Sequence, residues 1–175
     1  MTGDEERSGP SPRDELRRRR RGLGLLLGAV LLTAGQVASA QLLDRKELSL
    51  QAGLRIVAAA QDEAQRLNAP SVIVVVDAGG HTLVAQRMDG AAVAGVDLAT
   101  GKARASAIFE QTTADLQKGI GNSGASAAFL PGVFLYAGGV PIWANGVLVG
   151  AVGVSSKFTY NDVKIAEAGA KAFKP

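Results

Sequence analysis

The sequence predicts an α+β fold, with roughly five antiparallel strands packed against helices. Three observations predict it. Ser71–Asp77 (SVIVVVD) and Val147–Ser155 (VLVGAVGVS) are short, β-branched runs of the kind that fill sheet interiors. Ala78-Gly79-Gly80-His81 and Asn145-Gly146 separate apolar runs, and tight turns of this composition join neighbouring strands. Apolar residues at three- and four-residue spacing recur within Leu48–Leu67, Val93–Glu110 and from Thr159 to Phe173.

In chain order, residues 1–40 read as an export signal. Met1–Ser11 is polar with Gly and Pro, a composition without a core-forming face. The Arg17–Arg21 run precedes an apolar core, Leu23–Leu32, and Ala38-Ser39-Ala40 supplies a small-x-small cleavage pattern. Cleavage there makes Gln41 the mature N-terminus. An uncleaved anchor is the alternative, although the apolar core is short for a bilayer span. Arg20-Arg21 also permits twin-arginine export. Of 19 Lys and Arg, seven precede Gln41, as do five of 16 acids; the remaining 12 and 11 leave a mature charge near +1. No basic stripe is left to neutralise phosphates, so a nucleic-acid partner is not expected, nor is stable membrane insertion after cleavage. Residues 41–175 suffice for one domain with its own core. The chain has no Cys, which excludes disulfides and a lipidated cleavage-site cysteine.

The first helix is expected over Leu48–Leu67, with Leu50, Leu54, Val57, Ala58, Gln61, Ala64 and Leu67 as its apolar stripe; Asn68-Ala69-Pro70 ends it. Ser71–Asp77 and Thr82–Met88 form the first hairpin, closed by Asp89-Gly90. In the Val93–Glu110 helix, Ala99, Ala103 and Ala107 allow close packing on the sheet. Thr112-Thr113-Ala114-Asp115 restarts a short helix in a capping-box-like pattern. Gly119–Ser126 is expected to be a mobile loop bordering a site. Phe134–Tyr136, Val140–Ala144 and Val147–Ser155 supply three strands, the last covered on both faces. Gly150 and Gly153 mark close approach of another backbone or a ligand. The final helix buries Val163, Ala166, Ala170 and Phe173.

Familiar catalytic patterns are missing. His81 is the single His, and its place in a turn argues for exposure; a metal or haem ligand role is the alternative. Metal sites built from Cys and His are excluded by count. Gly79-Gly80 and Gly138-Gly139 do not open helices, so hairpin geometry explains them better than phosphate binding. Lys102 and Arg104 have two readings, carboxylate binding or solvated helix charge. Tyr136 and Trp143 read as core or interface residues.

Three segments, Val74–Gly90, Gly101–Ala107 and Gly138–Ser155, resemble the GlcG/HbpS family of haem-binding, haem-degrading-domain proteins, related to the C-terminal domain of PduO. The elements V-V-D-x-x-G-x-L, G-K-A and G-G-x-P-I-x-x-x-G-x-x-V-G-A-x-G-V carry the likeness, which runs from Leu48 to Phe173. It implies a profilin-like or PAS-like sandwich that self-associates into dimers or larger assemblies, and a haem cofactor. Thr113 takes the place of the threonine that a secreted family member offers to haem iron, while Thr112 stands where the family often has Pro. Helix capping is the other reading of Thr113. Lys102 and Arg104 are then candidates for the propionates and Phe109 for the apolar ring. The expectation is an exported haem-binding protein, haem-sequestering or haem-degrading. The rivals are a small-molecule sensor or metabolic enzyme domain using the same pocket, and an oligomeric structural module without ligand.

Overall fold

The computed structural model describes residues 45–123 and 130–175. Its elements are α1 (Leu50–Arg66), β1 (Val72–Asp77), β2 (Thr82–Arg87), α2 (Gly95–Phe109), α3 (Thr113–Ser123), β3 (Gly139–Ala144), β4 (Val147–Ser155) and α4 (Thr159–Lys171). The α+β class holds, with four strands rather than five in the order β2-β1-β4-β3, all antiparallel. The export-signal stretch lies outside the described residues.

Alternation along β1 divides the core between two faces. Val72, Val74 and Val76 pack with Ala99, Ala103 and Ala107 of α2. Ile73 and Val75 point the other way, into a cluster with Ile56, Val57 and Ala60 of α1 and Ile165 and Ala166 of α4. Central β1 and β4 are therefore buried on both faces, as their β-branched runs require. The glycines of β4 answer to backbone and not to ligand. A Cβ on Gly153 would overlap Ala99 O and Ala103 N of α2, and one on Gly150 would overlap Val76 O.

The turns follow their chemistry. Asn145 (φ 52°) and Gly146 (φ 80°) both take the positive φ of a type I′ hairpin between β3 and β4. Between β1 and β2, Asp77 Oδ1 accepts from the N–H groups of Gly79 (2.8 Å) and His81 (2.9 Å). Ser49 caps α1, its hydroxyl accepting from Ala52 N–H.

Several expectations need correction. The fifth strand, Phe134–Tyr136, is irregular chain: Phe134 N–H donates to Gly101 O at the surface of α2, and Val133 and Leu135 pack on Ala105, so the run is held by a helix. Gly119–Ser123 is the end of α3, while 124–126 lie outside the described residues. On α1, Leu50 and Leu54 are exposed and the buried face is Ala52, Gly53, Ile56, Val57, Ala60 and Ala64. Close packing decides this: Gly169 of α4 sits against Ile56 O and Ala60 Cβ, an approach that only small residues allow. The buried face of α4 is accordingly Asn161, Asp162, Ile165, Ala166 and Gly169, with Val163, Ala170 and Phe173 at its margin.

Candidate functional site

Gly138-Gly139 forms no hairpin. It crosses the point where α2, α3, α4 and β4 meet. Gly138 has φ 123°, its carbonyl accepts from Val154 N–H at 2.9 Å, and a Cβ there would press on Asp162 Cβ and Lys102 Nζ. A Cβ on Gly139 would overlap Lys102 O and lie 2.7 Å from Thr113 Cγ2. The paired glycines let the chain pass between two helices.

Thr113 and Lys102 meet at this crossing. Thr113 is fully buried, and its Oγ1 accepts from Gly139 N–H at 2.7 Å, tying the start of α3 to the start of β3. It is not the helix cap. That role falls to Thr112, whose Oγ1 accepts from Asp115 N–H (3.1 Å) and donates to Asp115 Oδ2 (2.7 Å). Lys118 Nζ donates to Asp115 Oδ1 at 3.0 Å. Its hydrogen bond from Thr112, and then Lys118, hold the Asp115 carboxyl below the ordinary carboxylate range.

Lys102 is 4% exposed, and its ammonium is engaged inside the protein. It donates to Asp162 Oδ2 at 2.7 Å and to Val154 O at 3.0 Å. Asp162 Oδ1 accepts in turn from Ser156 N–H (2.7 Å) and Ser156 Oγ (2.6 Å). Lys102 therefore ties α2 to α4: of its two sequence readings, carboxylate binding holds, with the carboxylate an internal one, and solvated helix charge does not. Neither Asp162 nor Ser156 stands out in the sequence, where Asp162 reads as one of the residues opening the last helix and Ser156 belongs to no motif. The available signal was an acid beside the apolar stripe of a helix that must pack on the sheet.

Arg104 and Phe109 lie elsewhere. Arg104 is exposed, and its side chain runs close to Gly80 and Gly132. Phe109, with Leu116, is half-buried against Ala105, Val133 and Leu135. His81 is an exposed turn residue, its side chain 84% accessible and Nδ1 3.4 Å from Asp77 Oδ1. Tyr136 and Trp143 are exposed on this chain rather than core.

Above Thr113, a cleft of about 240 Å³ lies between Thr112, Ala114, Asp115 and Lys118 of the α3 start, Gly138–Val140, and Val163 and Glu167 of α4. Enclosed small-molecule pockets usually measure about 300–1,000 Å³, so this cleft admits the edge of a larger ligand rather than the whole of it. Its lining sets apolar Val140 and Val163 beside the Thr112 hydroxyl, the Lys118 ammonium that pairs with Asp115, and the Glu167 carboxylate. It therefore suits the uncharged edge of a planar ring and not the edge that bears carboxylates, and to that extent fits a porphyrin. A larger hollow of about 390 Å³ between α1 and β2 is lined by Gln61, Gln65, Gln86, Arg87, Met88 and Asp89, far from these residues in sequence. Among the described residues no three His, Asp or Glu side chains gather to hold a metal, and no helix is long and apolar enough to cross a membrane.

Known proteins share this chain's sequence pattern and fold. Residues 48–171 match the family model "Haem degrading protein HbpS-like". Protein GlcG of Escherichia coli K12 is 37% identical over 108 residues, 62% of this chain and 81% of GlcG. The structure of a doubly substituted HbpS of Streptomyces reticuli superposes with TM-score 0.73 at 30% identity, covering 77% of this chain and 92% of that one. A structure described as a PduOC–haem complex superposes with TM-score 0.68 at 29% identity, covering 73% of this chain and 96% of the other.

Proposed function

We propose, from the premise that this chain belongs to the HbpS-like family of haem degrading proteins, that it is a haem-binding domain. One observation carries the reading: a relative crystallised as a haem complex shares its fold over 96% of that relative's length. Apolar Val140 and Val163 in the cleft beside Thr113 support it. Bound haem would supply redox-active iron, and the chain's residues would supply seating and orientation.

In this reading the haem edge enters between Thr112, Val140 and Val163. Thr113 then acts from beneath, either by holding Gly139 in place or, once that bond opens, by offering its hydroxyl to iron. A hydroxyl is a weak axial ligand beside His, Cys, Met or Tyr, which favours the holding role. Arg104 and Phe109 remain candidates for a propionate and a ring edge only if a second copy brings them to the cleft. The cleft's small volume supports self-association as the means of enclosing a whole haem. Export of the mature domain, with haem sequestration or degradation outside the cytoplasm, completes the proposal.

The test is visible titration of the mature chain, Gln41–Pro175, with haemin. A saturable change in the Soret band at stoichiometric haemin is expected. Absence of a saturable change would overturn the reading.

A further inference from the structure

Past the end of β4, Phe158 and Tyr160 stand out from the surface with their rings stacked, centroids 5.7 Å apart and planes 19° off parallel. They are 48% and 63% exposed, unusually open for large rings. Lys157 Nζ lies 5.4 Å from the Phe158 centroid, and Lys164 Nζ lies 5.9 Å from that of Tyr160. Among the described residues neither ammonium has a carboxylate within ion-pair distance, though Lys164 is near enough to Glu63 to help lower its carboxyl.

Two further observations connect this ledge to the cleft. Tyr160, Val163 and Glu167 follow one another at helical spacing on α4, and the last two line the cleft, so Tyr160 continues that wall by one turn. The ledge is also held from within. Phe158 N–H donates to Ser156 Oγ at 3.3 Å, and that hydroxyl donates to Asp162 Oδ1, the carboxylate paired with Lys102. With Lys102 engaged in the interior, the cations open to a ligand on this side of the cleft are on the surface.

We infer that the Phe158–Tyr160 ledge, with Lys157 and Lys164, receives the carboxylate-bearing edge of the planar ligand whose other edge enters the cleft. The inference rests on the haem reading above and extends it to the propionates. The rings offer apolar contact, and the two ammonium groups complement two carboxylates.

The probes are haemin and iron-free protoporphyrin, which has the same carboxylates without the metal. Binding is followed by the Soret band and by quenching of Trp143 fluorescence. The variants are Lys157→Ala/Lys164→Ala, Phe158→Leu/Tyr160→Leu and, as a control of equal charge change, Lys46→Ala/Lys174→Ala, each checked for native circular dichroism. The ledge lysine pair should weaken both probes by about fivefold or more at low salt, and the loss should shrink at high salt. The ring pair should weaken both by about tenfold at any salt. The control should bind like wild type. If wild type binds haemin and both ledge variants match it, the ledge is wrong and the haem reading stands. If wild type binds neither probe, both fall. Should a ring variant misfold, the lysine pair alone decides the matter.

Discussion

Lys102 and Asp162, 60 residues apart in sequence, meet at 2.7 Å with their side chains 5% and 2% exposed. Each oxygen of Asp162 has a donor, one from Lys102 and the other from Ser156, and the second Lys102 bond goes to Val154 O. A buried charge is tolerated only when paired and hydrogen-bonded in this way. The pair binds α2, β4 and α4 into one unit beneath the Gly138-Gly139 crossing.

Breaking that pair should cost stability before it touches ligand binding. Lys102→Met leaves a buried carboxylate short of its cation, and Asp162→Leu leaves a buried ammonium and an orphaned Ser156 N–H. Each should lower unfolding free energy by about 3–5 kcal/mol in urea titration. A Lys102→Met chain as stable as wild type would show the ammonium free to serve a ligand.

Thr113 should behave as a clamp. Thr113→Val keeps the shape but removes the acceptor for Gly139 N–H, which is then buried and unpaired, at about 1–3 kcal/mol. Thr113→Ser keeps the acceptor and should stay near wild type in both urea stability and haemin titration. A Ser variant that folds normally yet fails to bind haemin would count against that equivalence.

Gly153→Ala tests the close approach of α2 to β4. Its methyl would meet Ala99 O and Ala103 N, backbone atoms that cannot rotate away. Separating helix from strand should cost about 3 kcal/mol or more by thermal or urea unfolding. Gly146→Ala, where nothing lies within 4 Å, carries only the strain of its φ of 80° and should cost less.

Asp115 gives the start of α3 an acid-sensitive contribution. Its carboxyl is lowered on folding, by Thr112 first and Lys118 next. The stabilisation is fully present above the unfolded-state pKa and is lost as pH falls through the lowered folded-state pKa. Amide protection in Asp115–Lys118, measured against intrinsic exchange at each pH, should therefore fall in acid, below the usual aspartate range. Asp115→Asn should abolish that pH response, and an unchanged response would assign it to another group.

Export is tested by mass. Protein isolated from its native host should begin at Gln41 and be found outside the cytoplasm. An intact Met1 terminus on cytoplasmic material would contradict the expectation.

What could be read in the sequence was whatever neighbouring residues decide among themselves. Asn145-Gly146 dictates its own turn through two positive φ values. The β-branched run of β1 declares a strand buried on both faces, and Ala99, Ala103 and Ala107 declare a helix that packs closely on it. The Thr112–Asp115 spacing announces a helix start, although only the folded contacts decide that Thr112 and not Thr113 caps it. The family motifs added the haem expectation.

Tertiary structure decided whatever depends on contacts across long separations. Thr113 meets Gly139 across 26 residues and Lys102 meets Asp162 across 60, and no local pattern encodes either pairing. Phe134–Tyr136 has the composition of a strand, but a helix surface was available to it and it packs there. Leu50 and Leu54 yielded the buried face of α1 to alanines because backbone proximity to Gly169 gained more than bulk. Periodicity assigns a side to each residue; only packing determines which side is inside, because burial is a property of two surfaces and the sequence displays one at a time.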